Sequence, residues 1–205
     1  MSSQRSRTKV AEFKAVTQAK IDGILNEYAS GRISREQFDA IYAHYSSQLD
    51  LAEAALEESN TGLIEDAAGR TIGIRKSWMG KARGVLIYHR RSKTFLEALG
   101  AFDVNQDAFA EHFRRTAASA PDRTGVLFRK EAIEGGRWLL YTSGKHTLVV
   151  TLFGHEPAPT QIAEMQRLHT DFETANQHLI AAPAIQADRL AFPFHVIIQR
   201  KLGRS

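Results

Sequence analysis

The chain has no cysteine among its 205 residues. That excludes a disulfide framework, a thiol nucleophile and a thiolate zinc site together, and it suits a reducing compartment. No apolar run reaches the roughly 18 residues that a membrane-spanning helix needs. The first residues, Met1 to Arg7, are polar and basic and lead into no signal-like apolar core. These absences set the expectation of a soluble, cytoplasmic protein. Catalytic signatures are missing as well: there is no HExxH pair, nucleophile elbow, phosphate loop or Gly-rich dinucleotide fingerprint. The expectation is a protein that is not an enzyme and needs no cofactor and no metal.

What is present is an average globular composition, 43% hydrophobic and 24% charged, in a chain long enough to bury a core. The net charge of +4 hides a polar arrangement. Six acids (Asp50, Glu53, Glu57, Glu58, Glu65, Asp66) come first, with no base among them. Eight bases follow from Arg70 to Lys93, with no acid among them. The basic segment either waits for an anionic partner or is neutralised by solvent and by the chain's own acidic arm. Its candidate partner-binding residues are Arg75, Lys76, Trp78, Lys81, Arg83, Arg90, Arg91 and Lys93. Nucleic acid, an anionic membrane surface and an acidic protein are the chemistries that would fit, and Trp78 among bases could stack on a nucleobase or anchor a core.

Near the N-terminus, Val10, Phe13, Ile21, Ile24 and Tyr28, with Thr17 in one seam position, predict a helix from Lys9 to Ala29 that stops at Ser30-Gly31. Ser34 with Gln37 forms a capping box, and Ile33 with Phe38 forms the matching hydrophobic staple of a second helix. Phe38, Tyr42, Tyr45, Leu49, Ala52 and Leu56 then recur in steps of four and three, the spacing of a coiled-coil seam. The seam serves either the hairpin's own first helix or a second copy or partner. Ile24-Leu25-Asn26-Glu27-Tyr28, Gly31-Arg32-Ile33-Ser34 and Glu36-Gln37-Phe38 resemble the helical hairpins of the SHOCT type. That resemblance implies an oligomerisation or tethering element, with a homodimer as the simplest product.

After Asn60-Thr61-Gly62 and Ala67-Ala68-Gly69, which mark a boundary, Arg70 to Arg75 alternates like a short strand. Five further strand-like runs then appear: Gly84 to Tyr88, Phe95 to Leu99, Gly125 to Ile133, Trp138 to Thr142 and His146 to Phe153. A helix from Val104 to Ala118 follows the second run, and one from Thr160 to Ile180, capped by Thr160, follows the fifth. The fold class is therefore α+β: a five-stranded antiparallel sheet in the order β-β-α-β-β-β-α, helices on its faces, and an N-terminal helical hairpin. Val126 with Phe128, Leu139 with Tyr141, and Leu148, Val150 and Leu152 are alternate-position sets expected in the sheet core. The expected divisions are 1–60 for the hairpin, 61–83 for a linker with the basic segment, 84–182 for the α/β domain and 183–205 for an apolar and basic extension.

Three constellations imitate chemistry. Asp103-Val104-Asn105-Gln106-Asp107 begins like a calcium loop, but Ala108 and Arg114 stand where Gly and Glu are required. His169 and Glu173, four apart on one helix, lack a second pair of metal ligands. His155-Glu156 has the residue types of an acid/base pair but no nucleophile beside it. From Gly84 to Ile180 the order of elements resembles the roadblock/longin group of small α/β sandwiches, with profilin-like and PAS-like domains as rivals. The roadblock/longin resemblance implies a non-catalytic module that dimerises or serves small GTPases and trafficking or polarity complexes. The sequence thus leads to a regulatory or scaffold protein that oligomerises and binds a protein partner. The alternatives are a nucleic-acid-associated protein and a small-ligand sensor.

Overall fold

A computed structural model describes residues 2–58, 77–105, 109–110, 113–114, 127–182 and 185–194; the side chains of 2–7, 53–58 and 127 lie outside that description. The expected strand over Arg70 to Arg75, the boundary residues 59–69 and most of the helix expected from Val104 to Ala118 also lie outside it. The chain divides into two units, Met1–Met79 and Gly80–Ser205.

The first unit is a helical hairpin, α1 (Ser2–Ala29) and α2 (Arg35–Glu58). α1 starts before the expected Lys9, because no Gly or Pro interrupts the backbone where the apolar pattern gives out. It ends as its residues dictate: Gly31 adopts φ 70°, and Gly31 and Arg32 donate their N–H groups to the Tyr28 and Glu27 carbonyls, both at 2.9 Å. This is the Schellman arrangement, which a residue without a Cβ adopts most cheaply. Ser34 N–H donates to Gln37 Oε1 at 3.0 Å and Gln37 N–H to Ser34 Oγ at 3.2 Å, so the capping box forms as read.

The packing between the two helices differs from the expected seam in phase. α2 meets α1 through Ile41, Tyr45, Gln48 and Ala52, and α1 answers with Val10, Thr17, Ile21 and Ile24, all buried. Of the expected seam, Tyr45 and Ala52 belong to this contact. Phe38 and Leu49 sit half-buried at its margin, and Tyr42 is 41% exposed. The Leu56 side chain lies outside the described residues. Both sets obey the four-three spacing, and the polar Gln48 disguises the inner one in the sequence.

The second unit holds the sheet. β1 (Ala82–His89), β2 (Thr94–Gly100), β3 (Leu127–Ile133), β4 (Arg137–Ser143) and β5 (Thr147–Phe153) lie in the order β2-β1-β5-β4-β3, every neighbouring pair antiparallel. Because β2 and β3 form opposite borders, the chain joining them must cross the whole sheet, about 19 Å at the usual strand spacing. Phe102, Val104, Phe109 and Phe113 of that connection pack on one face against Leu139, Tyr141, Leu148, Val150 and Leu152. Phe109, Ala110, Phe113 and Arg114 are helical there, whereas Val104 and Asn105 precede the helix rather than opening it.

The other face, carrying Val85, Ile87, Leu140 and Val149, is covered by α3 (Pro159–Ala175) through Ile162, Met165, Leu168 and Phe172. Thr160 does not cap α3. Ala158 is the capping position, Pro159 opens the first turn, and Gln161 Oε1 accepts the Ala158 N–H at 2.9 Å. The expected single helix to Ile180 breaks at Asn176 before a short α4 (Gln177–Ile180). The Asn176 side chain donates to the Phe172 and Ala191 carbonyls and accepts the Ala191 N–H, each at 2.8 Å. It thereby fastens the C-terminal segment, whose Leu190 and Phe194 enter the same core as Phe172. Phe128 departs from its expected core place. Its partner Thr142 lies on the α3 face, yet β3 is a border strand beyond the helix's cover, and Phe128 is 49% exposed.

Candidate partner-binding surfaces

The basic segment is not one surface. β1 runs through its middle, with Lys81 and Arg83 at the start of the strand and Arg90, Arg91 and Lys93 after its end, about 20 Å apart at the rise of a strand. Lys81, Arg83, Arg91 and Lys93 are exposed. Arg90 is half-buried near Glu173, and Arg91 Nη1 reaches the Ala181 carbonyl at 3.4 Å. Trp78 is 39% exposed and belongs to the first unit. Arg75 and Lys76 lie outside the described residues.

Beneath the turn from β4 to β5 lies a polar cluster built on the His169 and Glu173 pair. Glu173, on the last turn of α3, accepts N–H groups from Lys145 at 2.9 Å and from His146 and Thr147 at 2.8 Å, and the Thr147 hydroxyl at 2.7 Å. Its carboxylate replaces the missing strand partners of a tight hairpin. A Cβ at Gly144 would collide with it, which is why that turn position carries none. Burial alone would raise the Glu173 pKa, but the hydrogen bonds from Thr147 and His146 hold it below the ordinary value.

His169 is fully buried one turn earlier, with Nε2 donating to Thr147 Oγ1 at 2.8 Å. Because that hydroxyl gives its own proton to Glu173, the relay assigns the His169 proton to Nε2. Burial pushes the His169 pKa down to about 4, against the opposing attraction of Glu173, so the ring is neutral near pH 7. His89 is neutral for the same reason: burial lowers its pKa, while Nε2 donates to the Ile180 carbonyl at 3.0 Å and Nδ1 accepts the Ser92 N–H at 3.2 Å. Among the described residues no group of three His, Asp or Glu side chains is placed to hold a metal ion. His169 and Glu173 tie α3 to the sheet.

Glu156 is likewise engaged. It is buried and accepts from Lys130 Nζ of β3 at 2.6 Å, while Lys130 lies 5.5 Å from the centre of the Trp138 ring. The calcium-like segment uses Asp103 on Arg137, at 3.4 Å.

The two borders of the sheet differ. On β2 the pairing slips between Ile87 and Tyr88, and the outward N–H of Ala98 is occupied by Glu97 Oε1 at 3.0 Å. A bulge and a self-capping carboxylate blunt that edge. On β3 no strand pairs with the outer side among the described residues. Its charged side chains lie on the two faces, Arg129 with Glu131 on one and Lys130 with Glu156 on the other. A cavity of about 290 Å³ lies near this border, lined by Val104, Phe109, Ile133, Leu139, Asn105 and Arg137.

Sequence reasoning missed three features: the inner hairpin seam, the role of Asn176 and the asymmetry of the borders. Only the first had a signal, the four-three spacing of Ile41, Tyr45, Gln48 and Ala52. Among the described residues no helix is long and apolar enough to cross a membrane. No protein-family model, curated protein or solved structure matches this chain.

Proposed function

We propose that the chain is a non-enzymatic regulatory or scaffold protein of the cytoplasm that oligomerises through its helical hairpin and recognises a protein partner at a border of its sheet. The observation that carries this reading is the contrast between a sheet filled on both faces and a β3 border that, among the described residues, no further strand pairs, beside a half-exposed Phe128. An open strand edge presents unpaired N–H and C=O groups that an extended segment of a partner can complete. The element order that resembles roadblock/longin domains makes a small GTPase or a trafficking or polarity complex the partner class to try first.

The test compares affinity capture from the native cell by the wild-type chain and by Phe128→Asp. A protein retained by the first and lost by the second supports border recognition. Equal retention by both moves the site elsewhere. The nucleic-acid reading has less support, because β1 separates the bases; if it were right, affinity for unspecific DNA would fall steeply with salt. The cavity beside Arg137 favours one second reading, a small-ligand sensor, although its volume sits at the lower end for such sites.

A further inference from the structure

The cavity of about 290 Å³ between the β2–β3 connection and the β3–β4 hairpin has an apolar floor of Val104, Phe109, Ile133 and Leu139. Ile133 pairs with Arg137, and Leu139 lies two residues further along β4, so these three side chains share one face of the sheet. Two charged residues line the same space, the exposed Glu134 and the half-buried Arg137. They do not neutralise each other. Arg137 Nε donates to the Glu134 backbone carbonyl at 3.1 Å, while Nη1 donates to the Asp103 carbonyl at 2.8 Å and lies 3.4 Å from the Asp103 carboxylate. The guanidinium is thus held at two of its nitrogens, and Nη2 has no acceptor among the described residues. The Glu134 carboxylate makes no hydrogen bond or ion pair among them either. Gly135 and Gly136, at φ 75° and 67°, make the turn that brings both residues to one cavity.

Size and charge together define the ligand. At the roughly 30 Å³ that a water molecule occupies, the space takes about ten non-hydrogen atoms. The floor asks for an apolar body, and Arg137 Nη2 for a carboxylate. A carboxylate alone would enter beside two like charges, Glu134 and Asp103, against the single Arg137; an amine alone would leave Nη2 without an acceptor. We propose that this cavity binds a free α-amino acid with an apolar side chain, of the size of leucine or phenylalanine. Its carboxylate accepts from Arg137 Nη2, its ammonium faces Glu134, and its side chain lies over Phe109, Ile133 and Leu139. This gives the small-ligand reading above a ligand class and rests on it. Partner recognition at Phe128 does not depend on it.

The test is calorimetric titration of the full chain with four probes: phenylalanine, leucine, 3-phenylpropionate, which lacks the ammonium, and phenethylamine, which lacks the carboxylate. Phenylalanine or leucine should bind, and each phenyl compound that lacks one charge should bind at least about 10-fold more weakly than phenylalanine, since one charge-assisted hydrogen bond is lost. Arg137→Gln should weaken phenylalanine about 10-fold. Glu134→Gln, at an exposed turn position that folding does not depend on, should make 3-phenylpropionate bind as well as phenylalanine. If 3-phenylpropionate or phenethylamine binds the wild-type chain as tightly as phenylalanine, the inference is overturned and the small-ligand reading survives. Full affinity for phenylalanine in both variants places the ligand elsewhere and overturns the inference as well. If none of the four probes binds, both the inference and the small-ligand reading fall.

Discussion

The hairpin and the sheet unit solve the same problem unequally. The sheet has two apolar faces and a cover for each, so Leu139, Leu148, Val150, Leu152 and Phe172 are all fully buried. The hairpin has two helices and one mutual contact, so whatever does not fit that contact stays in water, as Leu25, Tyr28 and Tyr42 do. Two layers around a core can be complete in one copy; a single pair of helices cannot bury more than one stripe of each. The difference predicts that stability resides in the sheet unit and association in the hairpin.

The largest expected effect is on the sheet. Phe172→Ala removes a ring in contact with Phe192 and Phe194 and should cost about 3–5 kcal/mol, read as a lower denaturation midpoint of the sheet unit. Ile41→Ala should instead melt the hairpin and leave that midpoint in place, which would sharpen the comparison; a shared loss would break it.

Acid comes next. His169 is neutral in the fold with a pKa of about 4 against an ordinary 6.5, so above pH 6.5 its titration has no effect on stability. As pH falls the unfolded chain takes up the proton first, and stability drops between 6.5 and about 4 by roughly 3 kcal/mol. Glu173, whose pKa is also lowered, adds to the loss below its ordinary 4.5. Denaturation midpoints across this range should fall for the sheet unit, and His169→Gln should flatten the portion above pH 4.

Gly144→Ala forces a methyl onto the Glu173 carboxylate and should cost about 1–3 kcal/mol in the sheet unit alone. The smallest effect on folding belongs to the surface that does the most work in this account. Phe128→Ser should change stability by less than about 0.5 kcal/mol while reducing partner capture.

Local signals carried most of the architecture. Strand runs and turns were legible because alternation and Gly-containing breaks coincide, and the hairpin turn because capping is a contact within four residues. What stayed hidden depends on distant partners. Asn176 reads as an ordinary helix residue until Ala191 is placed beside it. Glu173 reads as half of an incomplete metal pair until the β4–β5 turn arrives with its N–H groups. Phe128 fits the core alternation and is half-exposed only because its strand lies at a border. The four-three spacing on α2 was visible in the sequence, but spacing cannot say which of two adjacent seams faces inward.

Amide hydrogen exchange at several protein concentrations tests the contrast most directly. If the hairpin mediates assembly, α2 amides should gain protection as concentration rises, because association adds to their opening free energy, while β5 amides, flanked by β1 and β4, should not change. Protection in α2 that ignores concentration, or that rises equally in β5, would contradict it.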